Sequence, residues 1–143
     1  MKRDRCGFSL LELMLVLALL GLLSGLGWNS WQQARLRVER DRACQVLQQL
    51  AARQEEWRAW HGAYTDLPQQ LGCPDPGCSS GPLSAPRYRI TVAIDRRAPE
   101  PAFKLIAHPL GAQIDDRCGQ LELDQLGAAA ASGPAGCCGS ALH

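Results

Sequence analysis

Hydrophobic residues are distributed unevenly along the chain. A run from Phe8 to Trp28 holds 21 residues and one ionisable side chain, that of Glu12. As a helix rising about 1.5 Å per residue, the run is roughly 31 Å long, close to the thickness of a bilayer's hydrocarbon core. Trp28 and Trp31 lie at its end, where aromatic rings are common at a membrane interface. The pattern predicts a helix that can span a membrane.

The helical pattern continues beyond Asn29 and becomes amphipathic. Apolar residues recur near helical spacing against a charged face, and no proline occurs before Pro68. The recurring apolar residues are Leu36, Cys44, Leu47, Leu50, Ala51 and Trp57. We therefore predict one long helix that ends around His61–Gly62, where glycine accepts the left-handed conformation found after many helix C-termini.

The segments after the helix predict a small antiparallel sheet. Residues 67–86 contain five prolines and are predicted to form a loop, as are residues 127–143, where small residues predominate. Between the two loops, alternating apolar residues predict strands in "RYRITVAID", "AFKLIAH" and "GQLELDQ". Because an amphipathic helix needs a partner for its apolar stripe, the predicted fold class is α+β, a long helix packed on a three- to four-stranded antiparallel sheet.

Charge and motif content narrow the function. The formal net charge is +1, but the residues after Gly7 carry 12 basic and 13 acidic side chains, which gives −1. Bulk electrostatics therefore do not favour nucleic acid as a partner. The adjacent acids Asp115–Asp116 and Glu55–Glu56 are expected on the surface or in a turn, and no phosphate-binding loop or metal-ligand motif occurs. The sequence predicts a protein that is not an enzyme and has no cofactor and no metal site.

Glu12 is the residue of the apolar run that needs an explanation. A carboxylate inside a spanning helix costs at least ~2.5 kcal/mol on insertion scales. A cleaved secretory signal ending near Gly25–Gly27 and a plain transmembrane anchor both leave that cost unexplained. Cleavage between Gly7 and Phe8 resolves it, because the new amino terminus lies near Glu12 in helical geometry. When such helices bundle, the amine of one chain can instead pair with Glu12 of a neighbour.

The string Gly7-Phe8-Ser9-Leu10-Leu11-Glu12-Leu13, followed by an apolar helix, resembles the leader and cleavage motif of type IV prepilins and of type II secretion pseudopilins. The resemblance extends to "WRAWHGAYTDLPQQLGC" and to "FKLIAHPLGAQIDDRCGQLELDQLGA", which is similar to a stretch typical of type IV minor pilins. It implies a pilin fold, cleavage after Gly7, N-methylation of Phe8 and a role for Glu12 as the assembly carboxylate. Where major pilins often carry a kink proline, this chain has Asn29.

The resemblance also implies how the chain is divided and where it resides. Residues 1–7 would be the leader peptide, residues 8–29 the hydrophobic transmembrane and assembly helix, and residues 30–143 a periplasmic globular pilin domain. The implied location is the bacterial inner membrane, crossed once, and later the extracellular pilus. The implied partners are other pilin subunits in the filament, prepilin peptidase and the inner-membrane assembly machinery.

Seven cysteines indicate an oxidising compartment. Loss of Cys6 with the leader leaves six, an even number. We expect Cys118 to pair with Cys137 or Cys138, Cys73 with Cys78, and Cys44 with the remaining C-terminal cysteine. A zinc ion held by four thiolates is the less favoured alternative, since the cysteines lack the paired C-x2-C spacing of such sites.

The sequence thus predicts a type IV minor pilin, a structural subunit involved in pilus assembly. A type II secretion pseudopilin is one alternative, although the dense acidic loop expected of a calcium site near the C-terminus is not evident. A DNA-binding or adhesive receptor pilin is the other alternative. Ion pairs within or between subunits are the favoured role of the arginines, so nucleic acid is the less favoured partner.

If the chain binds DNA, the arginines on the helix and near the first predicted strand are the candidate phosphate contacts. The first choices are Arg35, Arg37, Arg87 and Arg89, and the same two groups include Arg40, Arg42, Arg53, Arg96 and Arg97. The helix arginines among these candidates are expected on its exposed face, namely Arg35, Arg37, Arg40, Arg42 and Arg53. Trp57 and Trp60 offer a platform for base stacking, but the favoured interpretation places Trp57 in the core and Trp60 at a partly exposed edge.

Overall fold

The computed structural model describes residues 9–73, 78–81, 86–97, 101–134 and 136–138, and for residues 26–29 the backbone alone. Two compact units follow one another along the chain, residues 1–35 and residues 36–143. The buried residues that form the described core all belong to the second unit. That unit also holds the sheet and three disulfides, so it has the means to fold by itself.

A single helix, α1, runs from Leu10 to His61 and is 52 residues long. Its first turn is closed by a hydrogen bond of 3.1 Å from the amide of Leu13 to the carbonyl of Ser9. Its end is closed by Gly62, which has a φ of 73° and donates its amide to the carbonyl of Arg58 at 2.8 Å. A left-handed glycine terminates the helix where the sequence predicted.

In the part of the chain that the structure describes, five antiparallel strands follow the helix and lie side by side in sequence order. They are β1 (Ser79–Ser80), β2 (Tyr88–Asp95), β3 (Ala102–Pro109), β4 (Leu121–Asp124) and β5 (Ala129–Ala131). The three central strands are those that the alternation of apolar residues predicted. Leu105 in the middle strand is paired with Val92 on one side and with Leu123 on the other.

The prediction of three or four strands was wrong, because both edge strands lie in segments that were predicted to be loops. β1 is two serines paired with Tyr88 and Arg89, and β5 is three alanines paired with residues 121–123. Such short stretches carry no alternation of apolar and polar side chains, and their pairing depends on backbone groups of the neighbouring strand. The first loop also contains a short 3₁₀ helix, Pro68–Leu71.

The core forms where the second half of α1 meets the inner face of the sheet. The helix contributes Ala43, Leu47 and Leu50, all at most 3% exposed. The central strands contribute Tyr88, Ile90, Phe103, Leu105, Ala107, Leu121 and Leu123. Packing of one apolar helix face on one sheet face confirms the predicted α+β pilin fold.

Three disulfides join parts of the second unit that are distant or irregular. Cys44 on α1 pairs with Cys138, Cys118 pairs with Cys137, and Cys73 pairs with Cys78. The Cα atoms are 5.8, 5.7 and 5.0 Å apart, within the usual range for a disulfide. This is one of the two arrangements that the sequence led us to expect, and it leaves these six thiols no role as zinc ligands.

Candidate functional site

Glu12 lies in the first turn of α1, in a segment whose side chains are all exposed from Ser9 to Ser24. Among the described residues its carboxylate has no hydrogen-bond or ion-pair partner. Ser24, the other polar side chain deep in this segment, donates its hydroxyl to the carbonyl of Leu20 at 2.7 Å. Gly7 and Phe8, the predicted cleavage and methylation residues, lie outside the described residues.

By length and composition, α1 is the one described helix that is long and apolar enough to cross a membrane. No residue of the helix's apolar window is buried within the chain. Its leucines are more than half exposed, for example Leu10 at 77% and Leu19 at 54%. Apolar surface of this extent requires a lipid or protein environment, because water would impose a large hydrophobic penalty.

A buried polar network fastens the second half of α1 to the segment before β4. Arg40 Nη1 donates to both carboxylate oxygens of Asp116, at 2.9 and 3.2 Å, and contacts Cys118 Sγ at 2.9 Å. The side chains of Arg40 and Asp116 are 10% and 4% exposed. The ion pair is therefore shielded from water. It links the helix to the loop that carries the Cys118–Cys137 disulfide.

Gln113 completes this network from the short 3₁₀ helix Gly111–Asp115. Its Nε2, which has two hydrogens to donate, lies within hydrogen-bonding distance of three acceptors. They are the carbonyl of Leu36 at 3.0 Å, the Tyr88 hydroxyl at 3.1 Å and Asp116 Oδ2 at 3.0 Å. Burial raises the pKa of Tyr88 to about 12, and the nearby Asp116 carboxylate acts in the same direction. The neutral phenol suits this site, and the network joins helix, strand and loop. Within it, the buried Nε of Arg40 has no hydrogen-bond partner among the described residues.

Two expectations fail at this network. Arg40 was predicted on the exposed face of the helix, yet it is 8% exposed. Asp116 does begin a turn, in which the amide of Gly119 donates to its carbonyl at 3.0 Å, but a place on the surface is wrong for its side chain. Asp116 is 7% exposed, whereas its neighbour Asp115 is exposed. The helix periodicity could have predicted the burial of Arg40. This residue lies three positions before Ala43 and seven before Leu47, which places it on the buried stripe.

The arginines near β2 form two separate groups. Arg87 and Arg89 lie at the start of the strand and share the face opposite the buried Tyr88 and Ile90. Arg96 and Arg97 follow its other end, roughly 23 Å away at about 3.3 Å per residue. Arg96 forms an exposed ion pair of 3.2 Å with Asp66. The single cluster suggested by the sequence is thus divided.

Arg87 and Arg89 have no ion pair with a carboxylate among the residues that the structure describes. Arg89 is exposed, and the strand register sets it beside Ser79 on β1 and His108 on β3. Arg87 is half-buried, and its backbone pairs with Ser80 and Leu110. The two guanidinium groups therefore give the outer face of the sheet a local positive charge at its β1–β2 edge.

The helix arginines have varied environments. Arg35 lies over the ring of Trp31, 5.8 Å from its centroid, and Arg37 is exposed. Arg42 forms an ion pair of 2.9 Å with Glu39, one turn away. Arg53 donates to the carbonyl of Leu71. Ion pairing, the favoured interpretation, is thus observed for Arg40, Arg42 and Arg96.

Two protein families match the sequence, and their matches together span residues 2–122. Residues 2–28 match the prokaryotic N-terminal methylation motif. Residues 29–122 match the family described as type IV minor pilin ComP, DNA uptake sequence receptor, and this match spans more than half of the chain. No curated protein matches the sequence.

The chain belongs to the type IV minor pilins. This membership accounts for the apolar helix, the antiparallel sheet and the C-terminal disulfides. It implies association with other pilus subunits and processing by prepilin peptidase. A membrane-anchored precursor that later enters the pilus fits the methylation motif and the apolar helix.

As a minor pilin, the chain belongs to a family of structural, non-enzymatic proteins. The family match favours this assignment over a type II secretion pseudopilin. In the described part of the chain, no three histidine, cysteine or carboxylate side chains come close enough together to hold a metal ion. The acidic residues near β4 take other roles, as Glu122 pairs with Lys104 at 3.1 Å and Asp116 with Arg40.

Proposed function

We propose that this minor pilin is cut between Gly7 and Phe8, methylated on Phe8, and built into a type IV pilus through Glu12. The observation that carries the proposal is the Glu12 carboxylate, exposed in an apolar helix without a described partner. The amine created at Phe8 of a neighbouring subunit supplies the missing positive charge. Two groups that are costly alone in hydrocarbon are neutralised together, which sets the register of neighbouring helices.

In this proposal the precursor crosses the bacterial inner membrane once, with the domain of residues 30–143 in the periplasm. Residues 1–7 are the leader that prepilin peptidase removes, and residues 8–29 form the transmembrane and assembly helix. Other pilin subunits and the inner-membrane assembly machinery are its partners. The protein acts as a structural subunit and performs no catalysis itself.

The leader is tested by Gly7→Val, which places a branched side chain at the residue before the cut. We expect the variant to accumulate as uncut precursor on an immunoblot and to be missing from sheared pili. Ser24→Ala is the matched control, because it changes a polar residue of the same segment without touching the cleavage motif. Protein of mature size in the Gly7→Val strain would contradict the proposed cut.

A DNA receptor is the second candidate function, and the description of the matching family favours it. In this chain the best-placed contacts are Arg87 and Arg89, since both lack a described carboxylate partner and share one face of the sheet. Arg37 is a further exposed candidate, whereas Arg35 is engaged with Trp31. Contacts of this kind bind phosphates and position the duplex, so they provide affinity and not sequence readout.

DNA binding is tested with a protein fragment of residues 36–143 and a labelled blunt duplex. Fluorescence anisotropy measures the affinity over a range of salt concentrations. The double variant Arg87→Ala/Arg89→Ala should weaken binding and reduce the salt slope by about 2, roughly 1 for each phosphate that is no longer neutralised. Arg96→Ala, at the other end of the strand, is the control. Failure to bind at low salt would remove the receptor function, and an unchanged slope would exclude these two arginines.

A further inference from the structure

The last turns of α1 and the 3₁₀ helix Pro68–Leu71 line a shallow hollow of about 340 Å³ that is open to the surface. Its size is at the lower end of the range for small-ligand sites and suits one planar ring rather than a folded segment. Six side chains give the hollow its chemistry, namely Arg53, Glu56, Trp57, Trp60, His61 and Gln70. We call these six side chains the helix-end hollow.

Aromatic planes form one side of the helix-end hollow. Trp57 stacks on His61 with ring centroids 3.7 Å apart and planes inclined by 11°. Trp57 is half-buried and packs against the core, so its ring is held in place. Trp60, one turn along, is 80% exposed. An indole so exposed beside a fixed aromatic pair offers a stacking surface that the chain itself leaves open.

Polar groups at the rim supply both a hydrogen-bond acceptor and a donor. The Glu56 carboxylate is exposed and has no partner among the described residues. Gln70 accepts the hydroxyl of Thr65 through Oε1, which directs its amide nitrogen away from that bond and leaves it without a described partner. Arg53 is anchored on the carbonyl of Leu71. Glu56 and Arg53 carry opposite charges, so the rim is nearly neutral and poorly suited to a phosphate.

We propose that the helix-end hollow binds an unpaired DNA base, stacked on Trp60 and hydrogen-bonded at its edge by Glu56 and Gln70. The proposal rests on the proposed DNA receptor function and names a second point of contact. A nucleobase has a π-face of the right size and carries both donors and acceptors on its edge. In an intact duplex that face is covered by neighbouring bases, so the hollow selects single strands and gaps, where bases are unpaired.

The test uses the full-length protein in phosphatidylcholine nanodiscs and labelled oligothymidine, whose bases remain unpaired. We expect binding by fluorescence anisotropy, accompanied by quenching of tryptophan emission. Trp60→Ala should weaken this binding by about 5- to 150-fold, the range expected for the loss of one base–aromatic stack. Trp60→Phe should retain most of the affinity, because the phenyl ring still offers a face for stacking.

Two controls separate stacking from other causes. Trp31→Ala removes an exposed tryptophan outside the hollow and should leave the affinity for oligothymidine unchanged. An abasic strand of equal length keeps the phosphates and lacks the bases, so it should bind the unaltered protein and Trp60→Ala equally. An affinity for the abasic strand that also depends on Trp60 would overturn base recognition.

A blunt duplex titrated in parallel distinguishes this proposal from the function on which it rests. If the duplex binds in dependence on Arg87 and Arg89, but oligothymidine binds Trp60→Ala as tightly as the unaltered protein, the hollow is not a base site and the receptor function stands. If neither nucleic acid binds, both proposals are wrong. Loss of oligothymidine binding in Trp60→Ala with the duplex still bound supports both.

Discussion

The two halves of α1 each carry a charged side chain among apolar ones, but only one of these charges has a described partner within its own chain. In the second half, Arg40 lies on the buried stripe and is neutralised by Asp116, with Gln113 and Tyr88 completing the network. In the first half, Glu12 is exposed among leucines and has no described partner.

This difference shows where each half of the helix completes its structure. The unit of residues 36–143 has its own core, and its buried charge is paired internally. The first half offers apolar surface without a described core of its own and a carboxylate without a described partner, so its environment has to come from lipid and from other subunits. The second unit has its core and its ion pair within one chain, whereas we propose that the apolar helix acquires its partners by assembly.

The largest effect is expected from Glu12→Ala. Removing the carboxylate leaves the amine of a neighbouring subunit unpaired in hydrocarbon, which should lower incorporation into pili by more than about 50-fold. Leader cleavage should be unaffected, since the cleavage motif is intact. Immunoblots of sheared pili and of whole cells measure both. Ser24→Ala, whose hydroxyl bonds to Leu20 within the same helix, should assemble normally.

Normal incorporation of Glu12→Ala would show that the first half of α1 needs no ionic partner, and the contrast between the two halves would disappear.

The next largest effect is expected from Arg40→Met in the unit of residues 36–143. Removing one partner leaves Asp116 charged and buried, and this should lower the free energy of unfolding by about 3–5 kcal/mol. Urea unfolding with intact disulfides measures the loss. The double variant Arg40→Met/Asp116→Asn removes both charges while the amide can still bond Gln113, so it should recover much of the stability.

If Arg40→Met unfolded at the same urea concentration as the unaltered domain, the ion pair with Asp116 would not be needed for the stability of the second unit.

A smaller effect is expected from alkaline pH acting on Tyr88, which borders this network. Burial raises the pKa of Tyr88 from 10.0 in the unfolded chain to about 12 in the folded one. Its contribution to stability is therefore complete below pH 10 and is lost as the pH rises from about 10 through 12. Urea midpoints measured across this window should fall, and Tyr88→Phe should flatten the fall.

Tyr64, whose pKa is also raised by burial, provides the reference. Tyr64→Phe should retain most of the fall in urea midpoint at alkaline pH. If the fall disappeared in Tyr64→Phe but persisted in Tyr88→Phe, the titrating group would be Tyr64 and the account of Tyr88 would be wrong.

The smallest effect is expected from Arg96→Ala. Arg96 and Asp66 form an ion pair as Arg40 and Asp116 do, but their side chains are 73% and 54% exposed. Solvent screens such a pair, so its loss should cost less than about 1 kcal/mol in urea unfolding. A cost as large as that of Arg40→Met would mean that burial does not distinguish the two pairs.

The sequence predicted the elements whose apolar side chains recur at a regular spacing. It missed the elements and contacts that depend on a single distant partner. The helix, its glycine end and the three central strands follow from spacing. The edge strands do not, because two serines and three alanines acquire strand geometry only when β2 and β4 are beside them. No local pattern could have revealed them.

The buried network was partly predictable. Positions 36, 40, 43, 47, 50, 54 and 57 recur at alternating steps of four and three residues, which is the spacing of one helix face. Arg40 and Gln54 occupy this stripe although they are polar, and both are buried. Gln54 bonds both the amide and the carbonyl of Thr65. The spacing could have identified them as buried, but their partners could be known only from the fold.

The proposed assembly through Glu12 requires the amine that cleavage creates at Phe8. Mass spectrometry of this protein taken from sheared pili tests most directly whether that N-terminus is present. We predict a chain that begins at N-methylated Phe8, lacks Cys6, and is lighter by the six hydrogens removed in forming three disulfides. A pilus-borne chain that begins at Met1, or at Trp28 without the apolar segment, would contradict it.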